Sequence, residues 1–351
     1  MTAAALAKEL NLSRTTVSLV LNGRAERYGL SRKTVDRVLS GAKRMKYRPD
    51  PVARQLAGMR SNVVGIIVNS AYVVDPRLLE RMEVLAAERQ LRFIIGHAIG
   101  NGEKVREYLE DFRGRRVEAI VSFHHNRPVS GNSVLDELQK MDRVLYYEKP
   151  GPQIRDAWFV DTDTYEFGRL QAQHLIDRGR RRIGMIGLTE KLYPILRQRR
   201  AGYQDALRHA GLDHGRELVW RVDEKRSLRW IEPPNEAEAA AVVDELVVRQ
   251  KVDGIIAVND LYVARLISAL RKMGRKVPDD VALVGGDNMD ISTLIEPAIS
   301  TIDVQIEALA RASIDLLFEM LGRSGAEQPP SHQGMGRGIV VKPKLIIRES
   351  A

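Results

Sequence analysis

The feature that most restricts the fold is a regular alternation of short apolar runs with amphipathic stretches, which begins at Val63. Continuously apolar runs are typical of parallel strands buried on both faces, and amphipathic stretches are typical of the helices that cover such sheets. The alternation forms two successive series, so we predict two lobes, each with a doubly wound parallel sheet. The predicted strands are Val63–Val68, Leu91–Ile95, Val117–Val121, Val144–Tyr147, Ile183–Gly187, Leu218–Val222, Gly254–Val258 and Val281–Gly285. The predicted helices are Pro76–Arg89, Gly102–Arg113, Tyr165–Asp177, Leu196–Ala210, Ala237–Arg249 and Tyr262–Met273.

Polar and aromatic side chains follow several of these strands. Ligands of doubly wound sheets bind beyond the carboxyl ends of the strands, so these residues are candidates for binding a small polar molecule such as a sugar. Helix capping is the alternative interpretation for any single Asp or Asn, but the repetition in both lobes favours a site. The candidates are Asn69, Ser70, Tyr72 and Asp75, then Phe123, His124 and His125, and in the second series Asn259, Asp260, Asp287 and Asn288.

The first 60 residues have a purely helical pattern. A short helix over Ala4–Leu10 is joined by a tight connection to a second helix, for which Ser13 is a good N-cap. Two helices joined so closely predict a helix-turn-helix. Inward-facing side chains are predicted to be Leu6, Ala7 and Leu10, then Val17, Val20 and Leu21, and, in a third helix that starts near Ser31, Val35, Val38, Leu39, Ala42 and Met45. The opposite face of the second helix carries Arg14, Thr15, Ser18 and Leu19, a close-fitting surface suited to a groove.

The net charge is concentrated in the same N-terminal segment. Residues 1–60 carry 13 lysines and arginines against 4 acids, an excess that equals the formal charge of +9 of the whole chain. A basic module beside a neutral body favours a polyanionic partner. The alternative interpretation of the charge alone is an ordinary solvated face.

The absence of cysteine excludes disulfides, zinc fingers and cysteine nucleophiles. We expect neither a metal nor a cofactor, and no common hydrolase, metalloprotease or P-loop motif is present. The N-terminus does not have the pattern of a signal peptide, and no apolar run is long enough to cross a bilayer. We therefore expect a soluble cytoplasmic protein that is not an enzyme and has no membrane partner.

Four segments together resemble the LacI/GalR family of bacterial transcription regulators: Leu12–Asn22, Tyr47-Arg48-Pro49, Val52–Leu56 and Gly65–Val68, in that order. The resemblance covers nearly the whole chain. It implies a helix-turn-helix DNA-binding headpiece at residues 1–49 and a hinge helix and linker at 50–61. A periplasmic-binding-protein-like body for effector binding and dimerisation would follow at 62–351. Its N-lobe would comprise about 62–161 and 290–322, and its C-lobe about 162–289 and 323–351, with chain crossings near Asp161, between Met289 and Ile295, and near Gly322.

The resemblance also implies which residues contact DNA. Arg14 and Thr15 match the main base-reading positions, and Leu19 matches a third contact where many members have arginine. Because leucine cannot donate a hydrogen bond, Leu19 would contact at most a thymine methyl group. Positions that match phosphate-contacting or positioning residues are Thr16, Ser18, Asn22 and Tyr47. In the hinge helix, the matching residues are Arg54 and Leu56, and Leu56 corresponds to a leucine that wedges into the minor groove; a core leucine is the alternative.

The effector site implied by the resemblance overlaps the strand-end candidates. Arg199, in the run Arg197–Tyr203, matches the arginine that grips ligand hydroxyls or carboxylates, with Gly202 and Tyr203 completing the family's R-x-x-G-[YFW] signature. Asp75-Pro76 is followed by Arg77, where the family often has an aromatic residue, and Trp230 is a candidate replacement; a packed or exposed tryptophan is the alternative. The predicted effector contacts are Asn69, Tyr72, Asp75, Phe123, Asp163, Arg199, Trp230, Asn259 and Asp287.

We therefore expect a homodimeric regulator, a repressor or an activator with repression favoured, whose affinity for double-stranded operator DNA changes when a sugar-like effector binds between the lobes. Residues after Arg348 carry no apolar heptads, so a tail-mediated tetramer is not expected. Three other classes are alternatives: an enzyme that uses His124 and His125, a pure solute-binding protein, and an architectural DNA-binding protein without an effector.

Overall fold

The packing of the chain separates it into two units, Met1–Asn62 and Val63–Ala351. A computed structural model describes residues 3–21, 23, 25–47, 60–68, 76–98, 100–123, 133–152, 154–188, 190, 196–212, 218–222, 233–323 and 337–351. The predicted hinge helix lies outside these residues. No helix in the described part of the chain has the length and hydropathy needed to cross a membrane.

The described residues of the first unit form three α-helices around a small apolar core. They are α1 (Ala3–Glu9), α2 (Arg14–Leu21) and α3 (Arg32–Arg44), and a short 3-10 turn, Glu26–Tyr28, precedes α3. Leu6, Val17 and Val38 have no exposed surface, which confirms their predicted inward direction. The spacing also predicts that Leu39 faces inward, but it is 50% exposed. It follows Val38 by one position, a rotation of about 100° around the helix, and so leaves the buried face.

In the second unit, the residues that the structure describes form two six-stranded sheets. The first has the order β11-β5-β4-β3-β1-β2 and is parallel throughout. Its strands are β1 Val63–Val68, β2 Arg92–His97, β3 Ile120–Phe123, β4 Val144–Tyr147, β5 Trp158–Thr162 and β11 Gly338–Val341. The second has the order β12-β10-β9-β8-β6-β7, with only β12 antiparallel. Its strands are β6 Ile183–Gly187, β7 Val219–Arg221, β8 Gly254–Ile256, β9 Ala282–Gly286, β10 Ser300–Asp303 and β12 Lys344–Ile346.

Helices cover both faces of each sheet, and an apolar core fills each of the four layers between them. The predicted doubly wound architecture is therefore confirmed. The helices are α4 Pro76–Glu88, α5 Gly102–Gly114, α6 Val134–Leu138, α7 Thr164–Asp177, α8 Leu196–His209, α9 Glu236–Val242, α10 Asp260–Lys272, α11 Ile291–Leu294 and α12 Ile306–Met320. The predicted helix over Ala237–Arg249 is α9 followed by a wider π-helix, Val243–Arg249.

The segments that cross between the lobes differ from those expected. The family resemblance places residues 290–322 in the N-lobe, but β10 pairs with β9 and β12 in the second sheet. It places residues 323–351 in the C-lobe, but β11 pairs with β5 in the first sheet. The second and third crossings therefore lie between β10 and α12 and between β11 and β12, later than predicted. The short strands β10 and β11 carry no local signal of the lobe to which they belong, because pairing with strands distant in the sequence decides it. The same holds for α12, which packs on the core of the first lobe.

Candidate functional site

The second helix of the first unit, α2, has two chemically different faces. The hydroxyl of Ser13 accepts a hydrogen bond from the Thr16 amide at 2.9 Å, which confirms the predicted N-cap. Val17 and Val20 are buried, so the helix can be docked in only one rotation about its axis. That rotation leaves Arg14, Thr15 and Ser18 exposed and Thr16 and Leu19 partly exposed.

Tight packing in the first unit holds this exposed face in place. A Cβ atom added at Gly41 of α3 would lie 2.7 Å from Leu10, so the missing side chain allows the two segments to touch. Tyr47 is partly buried, packs on the same core and donates its backbone N–H to the carbonyl of Ala42 at 2.9 Å. Three other predicted DNA contacts, Asn22, Arg54 and Leu56, lie outside the described residues.

In the second unit, Arg199 is the predicted effector residue with the most unusual surroundings. Its guanidinium carbon lies 3.6 Å from the centre of the Phe167 ring, and its Nη1 donates to the carbonyl of Val258 at 3.0 Å. Burial lowers the pKa of Arg199 to about 10, and the charge of Asp287 partly opposes that shift. Among the described residues, Nε of Arg199 has no hydrogen-bond partner. A desolvated, incompletely satisfied guanidinium is suited to bind a polar ligand.

The glycine and tyrosine of the Arg197–Tyr203 run explain how Arg199 is placed. A Cβ at Gly202 would lie 2.0 Å from the carbonyl oxygen of Tyr165, and one at Gly168 would lie 1.9 Å from that of Arg199. Helices α7 and α8 therefore approach through their backbones. The Tyr203 side chain is buried, and its hydroxyl donates to the carbonyl of Ile183 at 2.8 Å. The signature is thus a helix-packing device that holds Arg199.

Asp287 lies in a turn whose backbone is held by hydrogen bonds from three successive N–H groups. Its φ of 77° is in the left-handed region, and its N–H donates to the Ile302 carbonyl at 2.8 Å. The next two amides donate to Thr301 Oγ1 at 3.3 Å and to Asp260 Oδ2 at 2.7 Å. Asp260 is fully buried, and burial raises its pKa to about 7, although bonds from the Thr301 side chain and the Met289 amide oppose the shift. The sequence placed Asp260 at a strand end without indicating this supporting role.

Two other predicted effector residues are helix caps, the alternative interpretation at the sequence level. Asp163 accepts from the Glu166 amide at 2.9 Å at the start of α7. Asn259 accepts from the Tyr262 amide at 3.1 Å at the start of α10 and is fully buried. A cap uses one side-chain oxygen, which for Asp163 leaves the other carboxylate oxygen uncommitted by this bond.

Phe123 differs from its expected role. It has no exposed surface and packs with its ring centre 4.9 Å from that of Tyr147. In this structure the ring therefore contributes to the core of the first lobe and offers no face to a ligand. Four further candidates, Asn69, Tyr72, Asp75 and Trp230, lie outside the described residues.

Comparison with known proteins agrees with the two-lobed fold of the body and with the helix-turn-helix of the first unit. Residues 172–351, just over half of the chain, match the periplasmic binding protein-like domain family. The HTH-type transcriptional repressor PurR of Klebsiella pneumoniae (strain 342) is 27% identical over 350 residues, which cover 98% of this chain and 95% of that protein. The chain belongs to the LacI/GalR family.

Solved structures of this fold cover both units. A lac repressor dimer bound to operator and the anti-inducer ONPF matches with a TM-score of 0.78 and 18% identity, covering 100% of this chain and 98% of that one. The complex of the transcriptional regulator CelR with cellobiose matches with a TM-score of 0.67 and 23% identity over the whole of both chains. At these identities the structures establish the shared fold. The match to repressors over nearly the whole chain identifies this LacI/GalR member as a transcription regulator.

Proposed function

We propose that this LacI/GalR regulator acts as a homodimeric repressor whose affinity for operator DNA is changed by a small polar effector bound between the lobes of its body. The proposal divides the chain into a DNA-binding headpiece at 1–49, a hinge at 50–61 and an effector-binding body from residue 62. The single observation that carries it is the similarity to PurR repressors over 98% of the chain, which includes both the headpiece and the body.

The exposed face of α2 supports the DNA-binding half of the proposal. Arg14 and Thr15 stand in the first turn of the second helix of a helix-turn-helix, where a recognition helix contacts base edges. In this arrangement Thr16, Ser18 and Tyr47 would contact phosphates or fix the register of the helix. Leu19 would contact a thymine methyl group.

The role of Arg14 can be tested by operator selection from random double-stranded DNA, followed by Arg14→Ala. We expect the variant to lose about 1–3 kcal/mol of discrimination at particular base pairs. Lys8→Ala, which removes the same charge from the exposed surface of α1, is the matched control and should affect all sequences alike. An equal loss on operator and random DNA for Arg14→Ala would contradict the base-reading role.

The surroundings of Arg199 and Asp287 support the effector half. A guanidinium stacked on an aromatic ring, near a carboxylate in a fixed turn, can bind the hydroxyl groups of a sugar or sugar derivative. The CelR neighbour in complex with cellobiose is consistent with a carbohydrate ligand. A thermal-shift screen against sugars, sugar acids and nucleobases would identify the chemical class.

The contribution of Asp287 is tested with the ligand from that screen. Asp287→Asn keeps a residue that tolerates positive φ and removes only the charge, so the turn should survive. We expect at least a tenfold loss of effector affinity by calorimetry, about 1.4 kcal/mol, with operator binding unchanged in the absence of effector. Unchanged effector affinity would contradict the role of Asp287.

A solute-binding or architectural protein without switching is the alternative function. The two are separated by measuring operator affinity with and without the effector. If a ligand binds but operator affinity stays constant, or if no sequence-selective DNA binding is found, the regulatory proposal fails.

A further inference from the structure

Arg77 joins the two lobes of the body directly. It lies in the first turn of α4, which covers the first sheet, and its guanidinium donates two hydrogen bonds to the second lobe. Nη1 donates to the carbonyl of Asn288 at 2.7 Å, and Nη2 donates to the carbonyl of Asp287 at 2.8 Å. The two acceptors are successive carbonyls, and the planar fork of arginine is suited to contact both at once.

The acceptor turn is a rigid part of the second lobe. Besides the three backbone bonds described above, the side chain of Asn288 is held on both sides. Its Oδ1 accepts from Arg348 Nη2 at 2.9 Å, and its Nδ2 donates to Asp303 Oδ2 at 3.3 Å. The turn that Arg77 contacts is therefore linked through the Asn288 side chain to β10 and to the C-terminal segment, and is not an isolated loop.

The donor is equally well anchored in the first lobe. Leu78 and Met82, on the same helix, have no exposed surface and belong to the core beneath the first sheet. A cation in the first turn of a helix is unfavourable because it faces the positive end of the helix dipole. The two carbonyl oxygens of the neighbouring lobe supply negative partial charge that offsets this cost.

We propose that Arg77 is a positioning residue of the effector site, which fastens the first lobe to the turn that carries Asp287. This inference rests on the proposed effector site between the lobes. Because the bonds go to backbone carbonyls, the fastening does not require the Asp287 carboxylate. Arg77 therefore couples the closing of the lobes to the position of Asp287 relative to the first lobe. Any decrease in the fraction of molecules with closed lobes weakens effector binding by the same factor.

The test measures lobe separation without any ligand. The chain contains no cysteine, so Ala87→Cys and Met273→Cys, both at exposed positions, provide one spin-label site on each lobe. Labelled protein is mixed with an excess of unlabelled protein, so that a dimer carries at most one labelled chain. Distance distributions are measured by double electron–electron resonance in this background and with Arg77→Met or Arg77→Lys added. Arg89→Met is the matched control, because Arg89 pairs with Asp315 at 2.7 Å and lies over Phe318 within the same lobe.

We expect Arg77→Met to lower the ratio of closed to open lobes by about tenfold, as the loss of bonds made by a charged donor implies. Arg77→Lys, with a single ammonium in place of the fork, should shift the distribution in the same direction by less. Arg89→Met should leave it unchanged. A wild-type distribution in Arg77→Met, or the same shift in Arg89→Met, would overturn the inference.

This experiment is independent of the effector and the operator. If the Arg77 variants open the lobes but no ligand or operator is found, the positioning contact stands and the proposed function fails. If the effector and operator behave as proposed but the lobes do not open, only the role of Arg77 is refuted.

Discussion

Gly202→Ala should separate the helices that hold Arg199. The new Cβ would lie 2.0 Å from the Tyr165 carbonyl oxygen and 2.9 Å from the Arg169 nitrogen, whereas real Cβ contacts essentially never fall below 3.0 Å. Helices α7 and α8 must therefore move apart by about 1 Å, and neither obstacle is a side chain that could rotate away. Overpacking of this kind costs about 1–3 kcal/mol, and we expect the upper end because both atoms are backbone.

A loss of about 3 kcal/mol corresponds to a fall of roughly 5 °C in the melting temperature of a body of this size, because the entropy of unfolding is about 2.1 cal/mol/K per residue. Differential scanning calorimetry of the full chain measures it. Gly114→Ala is the matched control: Gly114 ends α5, nothing lies within 4 Å of the point that its new Cβ atom would occupy, and the added methyl group should be neutral or slightly stabilising. If Gly202→Ala melts like the wild type, the backbone contact between α7 and α8 does not determine the position of Arg199.

Two further predictions follow from buried or capping groups. The pKa of Asp260 is raised to about 7 in the folded protein, above its value near 3.8 in the unfolded chain. Protonation of Asp260 therefore stabilises the folded state, and this contribution is complete below about pH 4. It is lost as the pH rises through about 7. Asp260→Asn should reduce the loss of stability between about pH 5 and about pH 7.5 in urea titrations; an unchanged pH dependence would mean that the carboxylate stays ionised. Ser13→Ala removes the α2 cap and should cost about 1 kcal/mol, seen as faster hydrogen exchange at the Thr16 amide; unchanged exchange would argue against the cap.

Apolar runs, helical spacing and capping residues in the sequence correctly predicted several strands and the second helix. The strands Val63–Val68, Val144–Tyr147 and Ile183–Gly187 have the predicted bounds, since buried parallel strands are continuously apolar. The cap at Ser13 and the burial of Val17 and Val20 also followed from residue type and helical spacing. These features depend on neighbours within a few positions in the sequence.

Features that depend on partners distant in the sequence were not predictable. Leu39 is exposed because no element packs against that side of α3 in the described structure, although its helical spacing is compatible with burial. Phe123 follows the predicted strand Val117–Val121, as a ligand-contacting residue would, but it is the last residue of β3 and is buried against Tyr147 in the neighbouring strand.

The sequence by itself determined that this chain has a basic helix-turn-helix and a body of two doubly wound lobes, because both depend on composition and short-range periodicity. The Arg197–Tyr203 signature was recognised through the resemblance to the LacI/GalR family. Tertiary structure alone decided which lobe receives β10 and β11, how Gly168 and Gly202 place Arg199, and that Arg77 reaches the carbonyls of Asp287 and Asn288. The physical reason is that hydrogen-bond acceptors more than 200 residues away, and backbone atoms of a neighbouring helix, leave no trace in the local sequence pattern.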